Sequence, residues 1–463
     1  MTATLSRASV RDTARILALV LAPTVGRGVI IRREAVLPLA GRLDVDQRAC
    51  AVLAEVRERY GPGPLRLRAP LLDVAVVLDP DDVGRLLTET PETFTAAERL
   101  KRGALTHFEP TGVLVSGRDR RALRRPFNER VLDTSLPVHH LHDRFAQVVR
   151  EEVDTLLAAQ EVDAGGALTL RWPPFHATFN RIVRRVVLGD AAADDERLTE
   201  VLDELRAQAN WSFFRPRSPG RLRELAEGLK AYVRAAEPGS LAAVVAATPA
   251  PPGTAPVGQI PQWLFAFDAA GIAVYRALAL AASHPDLARR LRAEAAADGG
   301  VLPLARGTVL ESVRLWPTTL TILRESLRPT QWSGRTAATG TSFLVVSSFF
   351  HRDETRLEHA DRCEPEIWLD GRADTSWSLV PFSGGPAGCP GRNLVLAVTS
   401  TLLSAVVGGL DARAEGPVRL DPAHPLPRTL DHTSVTLRLR PATAATGGPA
   451  AASARFGPDA GRR

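Results

Sequence analysis

One cysteine lies in a segment whose composition is suited to metal chemistry. Residues 381–392 read PFSGGPAGCPGR, so Cys389 has glycine at 384, 385, 388 and 391 and proline at 386 and 390. Glycine permits left-handed dihedrals and close backbone approach to a flat ligand, and proline restricts the loop. The following residues, NLVLAVTSTLLSAVV, predict a buried helix, whose N-terminal dipole favours a thiolate at Cys389. The alternative is an ordinary buried thiol.

A single acid interrupts an otherwise apolar segment. Residues 262–274 read QWLFAFDAAGIAV, a pattern typical of a helix through the protein centre, with Asp268 as its one charge. An unpaired carboxylate in such surroundings is costly. Asp268 must therefore either bond a nearby arginine or amide, or border a polar cavity of the kind found at functional sites.

Glu311 and Arg314 form the third notable feature. They are three residues apart and are followed by Leu-Trp-Pro, so on a helix they share one face. Such pairs are common on protein surfaces and are worth only a few tenths of a kcal/mol. By itself the pair establishes nothing.

Together these motifs resemble the cytochrome P450 family. In that family a Phe stands seven residues before the loop cysteine, a Gly four before it and a Gly two after it, and Phe382, Gly385, Cys389 and Gly391 fill those places. The Glu-x-x-Arg pair also precedes the loop in the same order. The resemblance implies a mainly α fold with a minor β region, in one domain with a central buried helix and a cysteine loop. It also implies haem b (iron protoporphyrin IX), with Cys389 as the iron ligand.

The resemblance also assigns cations to the haem carboxylates. Arg120 and Arg124 match the positions where the family places a Trp or His and then an Arg facing those groups, although a solvated basic helix face is the alternative. The family usually has Arg or His two residues before the cysteine, where this chain has Ala387. We therefore expect Arg324 to bind the haem on that side.

In the resembled fold Glu311 and Arg314 are buried supports for the cysteine loop and do not react. A third supporting arginine would fall at Ile367, which cannot make that bond. Either Arg362 or Arg372 replaces it, or the network is smaller.

The main departure from the family lies in the central helix. Counting back from His284-Pro285, Asp268 takes the acid position of the oxygen-binding motif, but Ala269 stands where the family has a proton-relaying Thr. Something must take the place of this Thr: a substrate hydroxyl or amine, ordered water linked to Asp268, or chemistry that does not cleave dioxygen in the usual way. The resemblance places these residues in the pocket wall: Phe265, Ala269, Ala270, the Leu320-Thr321 turn and the loop around Phe108.

The elements that must position these residues can also be predicted. Helical spacing runs through residues 45–60, 80–89, 143–159, 174–188, 195–210, 221–236 and 259–283. Strand patterns occur at 65–68 and 73–78 and return only near 319–324 and 341–346. The chain is therefore mostly helix with a minor sheet.

The 463 residues show no internal repeat and no linker before residue 440. We predict a leader segment over 1–40, a haem-thiolate catalytic domain over 41–440 and a disordered tail over 441–463. The apolar run at 16–22 falls far short of the roughly 20 residues that span a bilayer. It predicts a packed or peripheral helix, without a membrane anchor.

Charge and cysteine content restrict the partners and the compartment. The net charge of +6 comes almost entirely from arginine, without a nucleic-acid-binding module, so no nucleic-acid partner is expected. Three cysteines without paired spacing favour a reducing compartment, and so the cytoplasm.

The expected function is a bacterial-type monooxygenase that oxidises a small organic molecule in secondary metabolism. Electrons would come from a ferredoxin and its reductase, docking near Arg392. One alternative keeps the haem for nitrene-like transfer, oxidative coupling, dehydration or peroxide-driven oxidation. Another is a haem-binding sensor or a degenerate relative.

Overall fold

The computed structural model describes residues 3–69, 73–212, 214–297 and 300–442. A π-helical turn, Leu17–Leu21, joins the first two helices, and short 3-10 turns connect several others. The α-helices are α1 Val10–Ile16, α2 Ala22–Arg27, α3 Leu37–Arg42, α4 Val45–Tyr60, α5 Pro80–Thr88, α6 Arg99–Leu105, α7 Arg118–Val131, α8 His142–Ala158, α9 Trp172–Leu188, α10 Glu196–Ala209, α11 Pro219–Ala235, α12 Leu241–Ala247, α13 Ile260–Ser283, α14 Pro285–Ala296, α15 Pro303–Leu315, α16 Ser347–His351 and α17 Arg392–Val407.

The strands are β1 Ala3–Thr4, β2 Leu65–Arg66, β3 Val74–Val76, β4 Phe94–Thr95, β5 Leu168–Arg171, β6 Thr321–Ser326, β7 Thr330–Trp332, β8 Arg335–Ala337, β9 Ser342–Val346, β10 Leu410–Glu415 and β11 Thr436–Pro441. They form three sheets, with the orders β2-β3-β9-β6-β4, β1-β8-β7 and β10-β11-β5. The mainly helical fold with a minor β region is confirmed.

The expectation that strands return only near 319–324 and 341–346 is wrong. The antiparallel sheet β10-β11-β5 lies outside those segments, and Leu437 pairs with Leu170 across most of the chain. Its strands are short, mix charged and apolar residues, and pair at long range. Such pairing leaves no hairpin turn in the sequence to reveal it.

The central helix α13 is predicted correctly and forms the middle of the core. It has Pro261 in its first turn and ends at Ser283, with His284 as its C-cap just before Pro285. It packs against α9, α15, α17 and β10. Among the described residues, Val257–Ser283 is the one helix long and apolar enough to cross a membrane, but 78% of its most apolar stretch is buried inside the protein.

Residues 3–42 pack against the rest of the chain. Asp12 receives hydrogen bonds from Arg59 at 2.6 Å and from the Tyr60 hydroxyl at 2.8 Å. Arg27 donates to both oxygens of the buried Asp46, at 2.7 and 2.8 Å. The leader boundary at residue 40 stays a prediction, and of the predicted tail all but residues 441 and 442 lie outside the described part of the chain.

Candidate active site

The cysteine loop is held in shape by its own backbone. The amide of Cys389 donates to the carbonyl oxygen of Phe382 at 3.0 Å, and the amide of Gly388 donates to that of Gly385 at 2.9 Å. Gly385 has φ +61, and a side chain there would collide with the carbonyl of Leu87 in α5. Glycine at 385 is therefore needed both for the turn and for its packing on α5.

The thiol of Cys389 lies just before α17 and keeps some accessible surface. Burial raises its pKa, while the amide of Gly391 and the charges of Arg125 and Arg392 act in the opposite direction without outweighing it. The helix terminus alone therefore does not ionise the sulfur. A cation bound at the sulfur would do so, because metal coordination deprotonates a thiol outright.

Behind the loop, Glu311 and Arg314 form a fully buried ion pair on α15. Arg314 donates from Nε to Oε2 of Glu311 at 2.8 Å and from Nη2 to Oε1 at 2.6 Å. Its guanidinium also donates to four carbonyl oxygens, those of His351, His359, Ala360 and Arg362. One cation thus ties two further chain segments, the end of α16 and residues 359–362, to α15, as expected of a support for the loop.

The third member of this network is not an arginine. Glu311 accepts its remaining hydrogen bonds from the indole of Trp368 at 3.0 Å and from the backbone amide of Glu364 at 2.7 Å. Arg362 takes part only through its carbonyl oxygen, and the guanidinium of Arg372 bonds Glu364 and Asp370. The alternative of a smaller arginine network is therefore the one observed.

A relay of hydrogen bonds connects this network to the cysteine loop. Arg314 donates to the carbonyl oxygen of His351, and Nε2 of His351 accepts from the amide of Val380 at 3.2 Å. The carbonyl oxygen of Val380 accepts from the amide of Ser383. Burial and the charge of Arg314 lower the pKa of His351 to about 3, so this imidazole is neutral and can accept.

Buried cations gather beside the loop. Arg324 donates to the Ser383 hydroxyl at 3.0 Å, Arg124 donates to the Ser116 hydroxyl at 2.8 Å, and Arg121 reaches toward the carbonyl of Pro386 at 3.5 Å. In the described part of the chain no carboxylate pairs with any of these three guanidinium groups. Nε of Arg124 and Nε of Arg324 are buried without a partner.

This cluster is electrostatically unbalanced. Burial lowers the pKa of Arg121 and of Arg324 to about 10, and their neighbouring positive charges, Arg125 and Arg121 respectively, add to the effect. Burial and the charge of Arg324 lower the pKa of Lys101 to about 7. Unpaired buried donors and mutual repulsion fit a missing anion. A haem with two carboxylates has that chemistry.

Helix α7 buries one of the two arginines predicted to face the haem carboxylates and exposes the other. Arg121 and Arg124 are buried, whereas Arg120 is exposed and lies beside Gly253. Sequence reasoning overlooked Arg121, although its spacing of three from Arg124 indicates a shared face. It also overlooked Arg125, which donates to the carbonyl oxygen of Gly388 at 2.6 Å.

On the central helix, Asp268 is ion-paired. Arg206 of α10 donates to its Oδ2 at 2.5 Å, and Nε2 of His176 lies 3.5 Å from its Oδ1. Burial raises the pKa of Asp268, but Arg206 and His176 outweigh burial and hold the pKa well below its usual value. Of the alternatives that the sequence left open, the structure shows the arginine-bonded acid. The adjacent Ala269 contributes only a methyl group.

One stripe of α13 keeps accessible surface while the rest of the helix is buried. Between residues 260 and 282 this stripe consists of Gln262, Phe265, Ala266, Asp268 and Ala269. Except for Asp268, its members are spaced by three, four and seven residues and so share one face. Ala270, which was also expected in the pocket wall, is buried. This partly accessible face is the one on which the sequence places the expected pocket residues Phe265 and Ala269.

The residues expected to line the pocket come together in part. Phe265 and Phe108 are in edge contact, with ring centroids 5.4 Å apart. The side-chain amide nitrogen of Gln262 donates to both carboxyl oxygens of Glu109, at 2.7 and 2.5 Å. Leu320 and Thr321 are half-buried, as are Phe382 and Cys389.

Comparison with known proteins extends these observations. Residues 267–407 match the family model described as Cytochrome P450, a range that contains Asp268, Glu311, Arg314 and Cys389. Curated relatives include the cyclooctat-9-en-7-ol 5-monooxygenase of Streptomyces melanosporofaciens, 29% identical over 27% of this chain and 30% of that protein. A 3-beta-hydroxylase of Tanacetum parthenium is 31% identical over 29% of this chain and 27% of its own. The chain thus matches less than a third of the length of these relatives.

The fold comparison covers far more of the molecule. A crystal structure described as a 6-coordinated cytochrome P450 from Thermus thermophilus superimposes with a TM-score of 0.59 and 22% identity, covering 85% of this chain and 97% of that one. A match at that identity concerns the fold alone. The family model, the curated relatives and the superimposed structure thus agree on one family, and this chain is similar to the cytochrome P450 proteins.

Proposed function

We propose that this protein is a haem-thiolate monooxygenase that oxidises a small organic molecule with dioxygen. The observation that carries the proposal is the pairing of a pre-shaped cysteine loop with buried cations that lack a counter-anion beside it. Such cations hold an anion or repel one another. Relatives named as a monooxygenase and a hydroxylase support a hydroxylation, which we assign to bacterial secondary metabolism.

The group that fits the site is haem b, which would activate dioxygen while the thiolate donates electron density to the iron. Cys389 would hold the iron. Arg124 and Arg324, with Arg121, would bind the two carboxylates through their free donors. Arg120 stays a prediction, since its exposed side chain lies beside Gly253.

The remaining residues shape the site. The edge contact of Phe108 with Phe265 would form an apolar part of the pocket wall, and Ala269 would leave room for a bulky substrate. Gly385 lets the loop approach α5, and the carbonyl oxygen of Phe382 anchors the Cys389 amide.

The electron donors proposed for this reaction are a ferredoxin and its reductase. Arg392 is exposed at the start of α17, three residues after Cys389. An exposed cation there favours an acidic donor, because complementary charge steers association. Three free cysteines, all with pKa values raised by burial, support a cytoplasmic location.

The test is spectroscopic. The reduced carbon monoxide complex of the wild type should show the red-shifted Soret band of thiolate-bound haem, and Cys389→Ala should lose it. Extraction into alkaline pyridine should identify haem b. A Cys389→Ala variant that keeps the band would overturn the ligand assignment, and a wild type that binds no haem would overturn the function.

A second candidate is haem-thiolate chemistry without oxygen insertion, and one observation favours it. Arg206 keeps Asp268 ionised, and Ala269 has no hydroxyl, so the central helix offers a poor proton donor at this position. Labelled dioxygen separates the two candidates. Label in the product supports the monooxygenase, whereas unlabelled product formed with dioxygen and electron donors supports the second candidate.

A further inference from the structure

The carboxyl group of Glu109 is buried without a cation to pair with it. Glu109 follows α6 in the loop that leads to α7, and it has no accessible surface. In the described part of the chain it forms no ion pair, and its carboxyl oxygens accept only from the side-chain amide of Gln262. Burial raises the pKa of Glu109 well above its ordinary value, and the charge of Lys101 opposes burial without outweighing it. The acid therefore lacks a counter-charge.

The loop that carries this acid is fixed on the central helix. Nε2 of Gln259 donates to the carbonyl oxygen of Thr111 at 2.8 Å. Three residues further along, Gln262 donates to both carboxyl oxygens of Glu109. The amide of Gly112 closes the turn by donating to the carbonyl oxygen of Glu109 at 2.9 Å. A Cβ atom at Gly112 would lie 2.8 Å from Oε2 of Glu109, so a larger residue there would push the carboxyl group aside.

Gln262 connects this acid to the accessible side of the helix. Because its amide nitrogen donates to Glu109, its Oε1 oxygen is the atom that can accept a hydrogen bond from a ligand. Gln262 belongs to the partly accessible stripe of α13 that also contains Phe265 and Ala269. Phe108 directly precedes Glu109 and contacts the ring of Phe265. Such apolar neighbours keep the local dielectric low, so a charge at Glu109 acts strongly on a ligand beside the stripe.

A ligand cation would supply the charge that Glu109 lacks. An ammonium group has three N–H donors and no acceptor, which suits an amide oxygen with a carboxylate behind it. Since Glu109 is fully buried, the amine would bond Gln262 and be attracted by the charge of Glu109. We propose that the substrate of this protein carries a protonated amine, which Gln262 binds and Glu109 attracts. This inference rests on the proposed function and adds the chemical class of the substrate to it.

The position of Gln262 also determines which part of the substrate reacts. Gln262 and Ala269 are seven residues apart on α13, which separates them by about 10 Å along the helix axis. Ala269 stands at the position of the proton-relaying Thr, at the reacting end of the proposed pocket. An amine bonded to Gln262 is therefore held away from the iron that Cys389 would bind, and the oxidised carbon lies about two helical turns from the nitrogen.

The experiment is calorimetric titration of the haem-loaded full chain with three probes of matched length: phenylbutylamine, phenylbutanol and phenylbutyrate. The amine should bind at least about tenfold more tightly than the alcohol, because its hydrogen bond is charge-assisted. The acid should bind more weakly than the alcohol, because Glu109 repels it. Difference spectra recorded with the amine should show water leaving the iron without nitrogen taking its place, since Gln262 holds the nitrogen elsewhere.

Two variants alter the acid in different ways. Glu109→Gln keeps the size of the side chain and removes its charge, so the preference for the amine over the alcohol should fall at least about tenfold while the affinity for the alcohol stays the same. Gly112→Ala keeps the charge but displaces the carboxyl group, and it should also reduce the preference. Gly103→Ala is the matched control, because a Cβ atom there meets nothing within 4 Å. It should bind all three probes like the wild type.

Three outcomes would overturn the proposal: equal affinity of the wild type for the amine and the alcohol, an unchanged preference in both Glu109→Gln and Gly112→Ala, or a spectrum of nitrogen-ligated iron with the amine. The carbon monoxide spectrum, recorded on the same samples, reports the haem-thiolate site separately. Failure of the amine preference is therefore distinguishable from failure of the proposed function.

Discussion

Nη2 of Arg206 lies 2.5 Å from Oδ2 of Asp268, so the acid of the central helix is held by a cation from a helix 62 residues earlier in the chain. Arg206 also bonds Asp203 at 2.7 Å, and its guanidinium lies 5.3 Å from the centre of the Phe265 ring. One side chain therefore positions both the acid and an aromatic wall of the proposed pocket.

Arg206→Met should destabilise the protein by about 3 kcal/mol, because it leaves a buried carboxylate without its partner. Urea unfolding measures the change. Lys230→Met, which breaks the exposed pair with Glu227, should cost less than about 1 kcal/mol. Adding Asp268→Asn to Arg206→Met should restore part of the loss, and strict additivity of the two variants would contradict the pairing.

Because the pKa of Asp268 is lowered, the stability that the pair of Asp268 and Arg206 contributes depends on pH. An acid whose folded pKa lies below its ordinary value of 3.8 contributes stability above pH 3.8, and that stability is lost as the pH falls toward the folded pKa. The stability difference between wild type and Asp268→Asn should therefore be constant at neutral pH and shrink below about pH 4. A difference that grows on acidification would contradict this prediction.

His351 makes the stability of the protein depend on pH in a second, higher range. Its pKa falls from 6.5 to about 3 on folding, so unfolding takes up a proton at any pH between these values. Stability should therefore decrease steadily as the pH falls from 6.5. His351→Gln, whose amide oxygen can still accept from Val380, should flatten this dependence. If the slope of stability against pH is the same in this variant, a group other than His351 takes up the proton on unfolding.

Ala269→Thr tests whether substrate supplies the missing proton donor. If it does, the variant should convert analogues that lack the substrate hydroxyl or amine, because the new hydroxyl lies next to Asp268. Product yield over an analogue series is the measurement. Ala269→Val, which has the same shape as Thr without the hydroxyl, is the control, and equal profiles for Thr and Val would count against substrate assistance.

The buried cations predict opposite effects on the loaded and the empty protein. Arg121→Gln should speed haem transfer to apomyoglobin by about tenfold or more, the value of a lost charged hydrogen bond. The same change should stabilise the haem-free protein, because it relieves repulsion with Arg324 and Arg125. Arg118→Gln, which removes an exposed arginine of the same helix that pairs with Glu92, should leave both properties unchanged. Equal haem transfer rates for these two variants would contradict the assignment.

The sequence predicts the cysteine loop, the Glu311-Arg314 pair and the central helix correctly because each depends on local spacing. The contacts that the sequence does not predict join residues that are far apart in the chain. Trp368 takes the place of a third arginine because an indole N–H can reach Glu311 from the same turn, where the residue expected to do so is Ile367. Arg206 reaches Asp268 from another helix, and no spacing rule connects the two.

Helix α7 shows a different limit of prediction from the sequence. A prediction for Arg120 or Arg121 depends on the rotation of the helix about its axis, and five arginines in eight residues give no apolar stripe to set that rotation. The sheet β10-β11-β5 was missed because its pairing depends on residues brought together only by the completed fold.

The repulsion among Lys101, Arg121 and Arg324 has a consequence beyond the site. A chain made faster than porphyrin is supplied keeps that strain, opens more often, and is exposed to cellular proteases. If the site binds haem as proposed, the abundance of the protein in a living cell should therefore follow iron and porphyrin supply, even when transcription is constant.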